Sequence, residues 1–161
     1  MKNDVLLAVD VANGSPLRHV SGAVDMIEDI VDSDIDRVTV LHVREFSVAR
    51  LPRSMRDQGG ISGRRAVNEV VAQLRARHIH ANGLIREADF GHVAPTILEV
   101  AAEFDVRCIV VGSRSRGEFP HVPVGSVTAH LLRLATLPVL IVPPTVVPAV
   151  GPMARLAAAI Q

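Results

Sequence analysis

The chain contains no tryptophan and no tyrosine, and its only aromatic residues are Phe46, Phe90, Phe104 and Phe119. Single-stranded bases are held largely by stacking on aromatic rings, so this composition excludes an aromatic platform for them. An excess of one charge is missing too. The 17 Lys and Arg residues offset 17 Asp and Glu residues, so no global field draws the protein to a phosphate backbone or an anionic lipid surface. Nucleic acid is therefore not an expected partner. The single cysteine, Cys108, cannot close an intrachain disulfide. Within Val106-Arg107-Cys108-Ile109-Val110-Val111 it reads as a buried strand thiol, in keeping with a reducing compartment. Long hydrophobic runs are also wanting. Met1-Lys2-Asn3-Asp4 leads into only five apolar or small residues before Asp10, too few to begin a signal peptide or a membrane span. The expected location is cytoplasmic, with no membrane partner.

What the chain does have is the balance of a folded domain: 161 residues, of which 48% are hydrophobic and 21% charged. That length buries a core between a sheet and two helical layers without staples. We expect one domain over residues 1–144, with a tail, 145–161, that is rich in Ala and Pro and either forms a short helix or trails in solvent.

Hydrophobic periodicity divides the domain into alternating elements. Asp4 to Asp10 is a nearly continuous apolar run closed by an acid, the pattern of a strand buried on both faces. Leu17, Val20, Val24, Ile27 and Val31 then recur at helical spacing, with Ser15 as N-cap and Pro16 at the first helical position. Arg37 to Val43 is a second strand, and Ala66, Val67, Val70, Val71 and Leu74 mark a helix from about Arg64 to Arg77. Between them the composition of Arg44 to Gly63, with Pro52, Gly59, Gly60 and Gly63, predicts a long irregular excursion. Ala81 to Ala88 reads as a third strand, and Val93, Ile97, Leu98, Ala101 and Ala102 as the inner face of a third helix. Arg107 to Val111 is the fourth strand. After a Gly-containing loop, a helix over Gly125 to Ala135 leads to a fifth strand, Pro138 to Val142. Alternation of this kind predicts a doubly wound, Rossmann-like α/β fold with a five-stranded parallel sheet and four helices.

In such a sheet, ligands bind beyond the carboxyl ends of the strands. The segment from Gly112 to Thr128 enters its helix through Gly125-Ser126-Val127-Thr128. Free N–H groups, the Ser126 and Thr128 hydroxyls and the positive end of the helix dipole there favour an anion. The plainer reading is a tight strand-to-helix connection. Two other phosphate signatures fail: Gly112 and Gly117 have P-loop spacing, but Glu118 stands in place of its lysine, and no G-x-G-x-x-G follows the first strand. Asp10 reads as the cap of a turn with Asn13, alone or in combination with a ribose or metal role. Arg114 and Arg116 read as solvated, with phosphate contact as the alternative. His78 and His80 alternate as metal ligands can, yet no third ligand is near, and they read as surface histidines. No nucleophile elbow, H-E-x-x-H or Cys/His dyad signals catalysis, and no catalytic residue is assigned.

Asp10, the Leu41-His42-Val43 strand ending, Val111-Gly112-Ser113 and Gly125-Ser126-Val127-Thr128 together resemble the universal stress protein family over residues 4 to about 143. The family's nucleotide-binding members carry G, two residues, G, nine residues, then G followed by S or T. Here the pattern is Gly112, two residues, Ser115, nine residues, Gly125-Ser126. The resemblance implies strand order 3-2-1-4-5, with Ala8, Val9, Asp10 and Val43 around adenine and ribose and Val111 and Gly112 continuing that wall. It implies Ser115, Gly125, Ser126, Val127 and Thr128 around the phosphates of ATP, ADP or AMP, with Mg held through Asp10. Ser115 occupies the second glycine position. A left-handed backbone there would cost about 1–2 kcal/mol, whereas a negative φ would leave an extra hydroxyl at little cost.

The resemblance implies a stress-response binding or signalling module. The alternatives are an interaction module of the same fold that has lost nucleotide binding through Ser115, and a weak ATP hydrolase. In the implied order Val139 to Val142 is an apolar edge strand, which invites homodimerisation unless the tail covers it.

Overall fold

The computed structural model describes residues 4–10, 17–32, 34, 36–46, 53–112 and 125–142. The chain runs β1 (Val5–Ala8), α1 (Leu17–Ile30), β2 (Arg37–Phe46), α2 (Arg53–Ala76), β3 (His80–Asp89), α3 (Val93–Glu103), β4 (Cys108–Gly112), α4 (Ser126–Leu134) and β5 (Val139–Val142). The five strands form one sheet in the order β3-β2-β1-β4-β5, and every neighbouring pair is parallel. Strand alternation sends consecutive side chains to opposite faces. Val5 and Leu7 of β1 and Val38 and Val40 of β2 therefore pack with Val24 and Ile27 of α1 and Val70 and Leu74 of α2. Leu6, Leu41 and Ile109 point the other way, to Ile97 and Val100 of α3 and Leu131 of α4. Because β1 is central and both faces are covered, Val5, Leu6 and Leu7 are essentially without solvent exposure. Each such burial contributes about 1.5–3 kcal/mol, and this makes β1 the fixed axis from which the loops diverge.

The excursion expected over Arg44 to Gly63 is corrected. β2 continues to Phe46 and α2 already begins at Arg53, so Gly59, Gly60 and Gly63 lie inside a helix of 24 residues. Interior glycine disfavours a helix by about 1 kcal/mol relative to alanine. At Gly63 the reason for its presence is steric: an added side-chain carbon would stand 2.4 Å from Cδ2 of His42. The Ser15-Pro16 helix start, the loop residues Ser113 to Val124 and the tail lie outside the described residues.

The two sheet edges differ in chemistry. On β3, His80, Asn82 and Glu87 are exposed, and Arg75 of α2 donates from Nε (3.0 Å) and Nη2 (2.8 Å) to the carbonyl of Ala81. On β5, Val139, Leu140 and Ile141 are only partly buried.

Candidate functional site

At the carboxyl ends of the strands β1 separates from its neighbours. Val9 still donates its N–H to Leu41 O (2.8 Å), but its own carbonyl is met by a side chain, His42 Nδ1 at 3.2 Å. A carbonyl only accepts, so Nδ1 carries the proton and Nε2 is the bare nitrogen of the ring. His42 is 9% exposed. Burial pushes its pKa below the ordinary imidazole value; the hydrogen bond to Val9 opposes that shift and the nearby Arg44 guanidinium adds to it. Gly63 lets α2 lie directly against this ring, because a side-chain carbon there would also come within 2.8 Å of Nε2. His42 thus ties three elements together at the point where Asp10 begins the diverging loop.

Beside this point lies a cavity of about 520 Å³. Its lining includes Ala8, Val9 and Asp10 after β1, Val43 of β2, Val111 and Gly112 at the end of β4, and Gly125, Ser126, Val127 and Thr128 at the start of α4. Every site residue expected from the sequence therefore borders one space, except Ser115, which lies outside the described residues. Leu41, His42, Arg44, Glu45, Ser62, Val93 and Ile97 also line it and were not among the expected site residues. Strand alternation from Val43 would have found Leu41 and Glu45, whereas Ser62, Val93 and Ile97 reach the cavity only through the way α2 and α3 pack.

The walls differ in polarity. Val43, Val93, Ile97 and Val111 make an apolar slot. Among the other lining residues, Gly125 is the N-cap of α4 with extended backbone (φ −64, ψ 160) and makes no side-chain cap hydrogen bond. The first intrahelical donor to Gly125 O is Ala129 N (2.9 Å). The N–H groups of Ser126, Val127 and Thr128 precede it and lack a partner in the helix ladder, so they and the helix dipole are available to an anion. Charges at the mouth are engaged with protein groups: Arg44 pairs with Glu87 and lies 4.6 Å over the Phe46 ring, and Glu45 Oε1 accepts from Gly91 N at 2.6 Å. Asp10 and Glu45 are the carboxylates among the lining residues. Among the described residues no group of three or more His, Cys, Asp or Glu side chains could hold a metal. An apolar slot ending at unpaired helix amides suits a ligand with a flat apolar part and an anionic part.

No helix among the described residues is long and apolar enough to cross a membrane. Cys108 is buried, and burial pushes its thiol pKa up, away from the thiolate that redox or nucleophilic chemistry would need.

No curated protein sequence matches the chain. Among solved structures it is similar to a universal stress protein from Archaeoglobus fulgidus, with 22% identity, a TM-score of 0.65, and coverage of 88% of this chain and 99% of that one. A universal stress protein family member from Burkholderia pseudomallei matches with 21% identity and a TM-score of 0.64, over 89% of this chain and 96% of that one. A family member from Arabidopsis thaliana, solved with AMP bound, has 20% identity and a TM-score of 0.64, over 89% of this chain and 92% of that one. At these identities the structures establish the shared fold. The sequence pattern of the universal stress protein family matches residues 1–143, most of the chain, and the protein belongs to that family.

Proposed function

We propose that the protein binds an adenine nucleotide (ATP, ADP or AMP) in the crevice at the carboxyl ends of its strands and acts as a cytoplasmic binding or signalling module. The observation that carries this reading is the cavity itself, which joins an apolar slot to the uncapped amino terminus of α4. In this reading adenine and ribose lie along Ala8, Val9, Asp10, Val43 and Val111, and the phosphates meet Gly112, Ser115 and the Gly125-Ser126-Val127-Thr128 turn. Asp10 would hold Mg beside them. Relatives support it: the Arabidopsis thaliana structure carries AMP and one from Archaeoglobus fulgidus carries dAMP. When bound, Mg would neutralise phosphate charge. This chain's own part is to orient the nucleotide.

Isothermal titration of nucleotide-free protein with Mg-ATP and with AMP tests the reading, and saturable binding is the expected result. Gly125→Val, which drives a branched side chain into the phosphate cradle, should abolish it. Unchanged affinity in that variant would place the nucleotide elsewhere. The second reading, an interaction module of the same fold without nucleotide, is favoured by Ser115 at the family's second glycine position, and no binding by the unmodified protein would establish it. In either case residues 1–144 act as one domain, and we infer a homodimer through β5. The charged β3 edge, capped by Arg75, discourages pairing, whereas the partly exposed Val139-Leu140-Ile141 edge invites it. A monomer in light scattering at micromolar concentration would sink the dimer.

A further inference from the structure

At the opposite end of the sheet lies a second concavity, about 570 Å³ in volume, lined by Arg37, Arg75, His78, Ile79, His80, Ala81 and Asn82. It is separated from the crevice by roughly the 16 Å that β2 rises between Arg37 and His42. We propose that this is a second ligand site and that its ligand is a chain of phosphate groups.

Groups from both faces of the sheet border this one space. Arg37 and His80 are register partners on adjacent parallel strands, and Asn82 follows opposite Thr39. Arg37, His80 and Asn82 therefore project from one face of the β2–β3 pair, the face opposite the one that α2 covers at Val38, Val40 and Ala81. Arg75 comes from α2 on the other face and borders the same space, held in place because Nε and Nη2 both donate to Ala81 O. That leaves Nη1 uncommitted on a guanidinium whose rotamer is fixed. His78, which also borders the space, lies in the left-handed region at φ 61, which favours glycine over histidine.

Arg44, Arg65, Arg77, Arg86 and Arg107 each pair with a carboxylate. Arg37 and Arg75, like Arg64 and Arg133, pair with none among the described residues, and of these four only Arg37 and Arg75 border one concavity. The lining includes no carboxylate.

The space itself restricts what it can accept. Its polar groups are cations, imidazoles and an amide, which suit phosphate oxygens. Its apolar members, Ile79 and Ala81, are 1% and 4% exposed, so there is no slot for a base. The volume exceeds what one tetrahedral anion fills. An extended inorganic phosphate chain meets these conditions better than a nucleotide or a single phosphate.

Inorganic triphosphate is the probe, titrated into the full chain by calorimetry and followed by two-dimensional amide NMR. We expect saturable binding that weakens at higher salt, with shifts centred on Arg37 and on His78 to Asn82. The Arg37→Gln/His80→Gln variant should bind about tenfold more weakly while keeping its melting temperature, since both residues are exposed. If the double variant does not fold, Arg37→Gln alone decides. Absence of saturable binding overturns the proposal, as does undiminished affinity in the folded variant. Shifts centred instead on Gly125 to Thr128 would assign the phosphates to the crevice and also overturn it. ATP shifting the Arg37 cluster as strongly as triphosphate would uphold the site and name the nucleotide's phosphate tail as the source.

Discussion

Near the carboxyl ends of the strands, α2 carries glycine in its interior at Gly63, where alanine would favour the helix by about 1 kcal/mol. At the amino ends the same helix closes on His78 at φ 61, where glycine would be the unstrained residue. Ile79 N donates to Leu74 O (3.1 Å) and His78 N to Arg75 O (3.0 Å), the paired bonds of a helix end that turns through a left-handed residue. The two departures have opposite senses and sit beside the two concavities of the molecule. At Gly63 the missing side chain lets the helix touch a buried, neutral imidazole. At His78 the retained side chain stands among exposed cations. Local helix rules yield at each end of α2 to the surface that α2 helps to build.

The largest expected effect comes from filling the first position. Gly63→Val should lower stability by about 3 kcal/mol, because the overlap with His42 outweighs any gain from replacing glycine. Urea denaturation measures it. A stabilised variant would mean that α2 slides away freely and that the contact with His42 is incidental.

Next in size is the imidazole itself. His42→Phe keeps a flat ring of similar bulk but leaves Val9 O without its donor, a loss of about 2 kcal/mol. The pH dependence carries a second signature. Because burial holds the folded pKa of His42 below its ordinary 6.5, the unfolded chain binds more protons than the folded one in the interval beneath 6.5. Stability is therefore fully present above pH 6.5 and falls as pH drops through that interval toward the folded value. In His42→Phe this limb of the stability profile should flatten. An unchanged profile would show that His42 titrates as though exposed.

The same contrast explains what could be read from the sequence. β1 and β4 were legible because strands covered on both faces must be apolar throughout, and Val5 to Leu7 and Cys108 to Val111 are buried. The strand order came from family resemblance and not from pattern. The first half of α2 was misread as a loop because Gly59, Gly60 and Gly63 look locally like breakers. Nothing within that segment shows that Gly63 answers a histidine 21 residues earlier in the chain. At the crevice, strand-end and helix-start positions such as Asp10, Val43 and Gly125 were legible, since topology alone puts them at the carboxyl ends. Ser62, Val93 and Ile97 were not, because their approach depends on how far two helices lean over the sheet.

The smallest expected effect lies at the other end of α2. His78→Gly should raise stability by about 0.5–1 kcal/mol: relief of the left-handed strain on a side chain exceeds the added freedom of the unfolded chain. His78 is exposed, so little packing is lost, and the bonds from Ile79 and His78 that close the helix are made by backbone alone. Thermal unfolding checks the sign. Triphosphate titration of the same variant then separates two reasons for keeping histidine there. A variant that is more stable but binds triphosphate more weakly shows that the strain is retained for the cationic site. If it is more stable and binds equally well, the site consists of Arg37, Arg75 and His80 without it. A destabilised variant would break the contrast with Gly63, because the imidazole would then be holding the helix end in place.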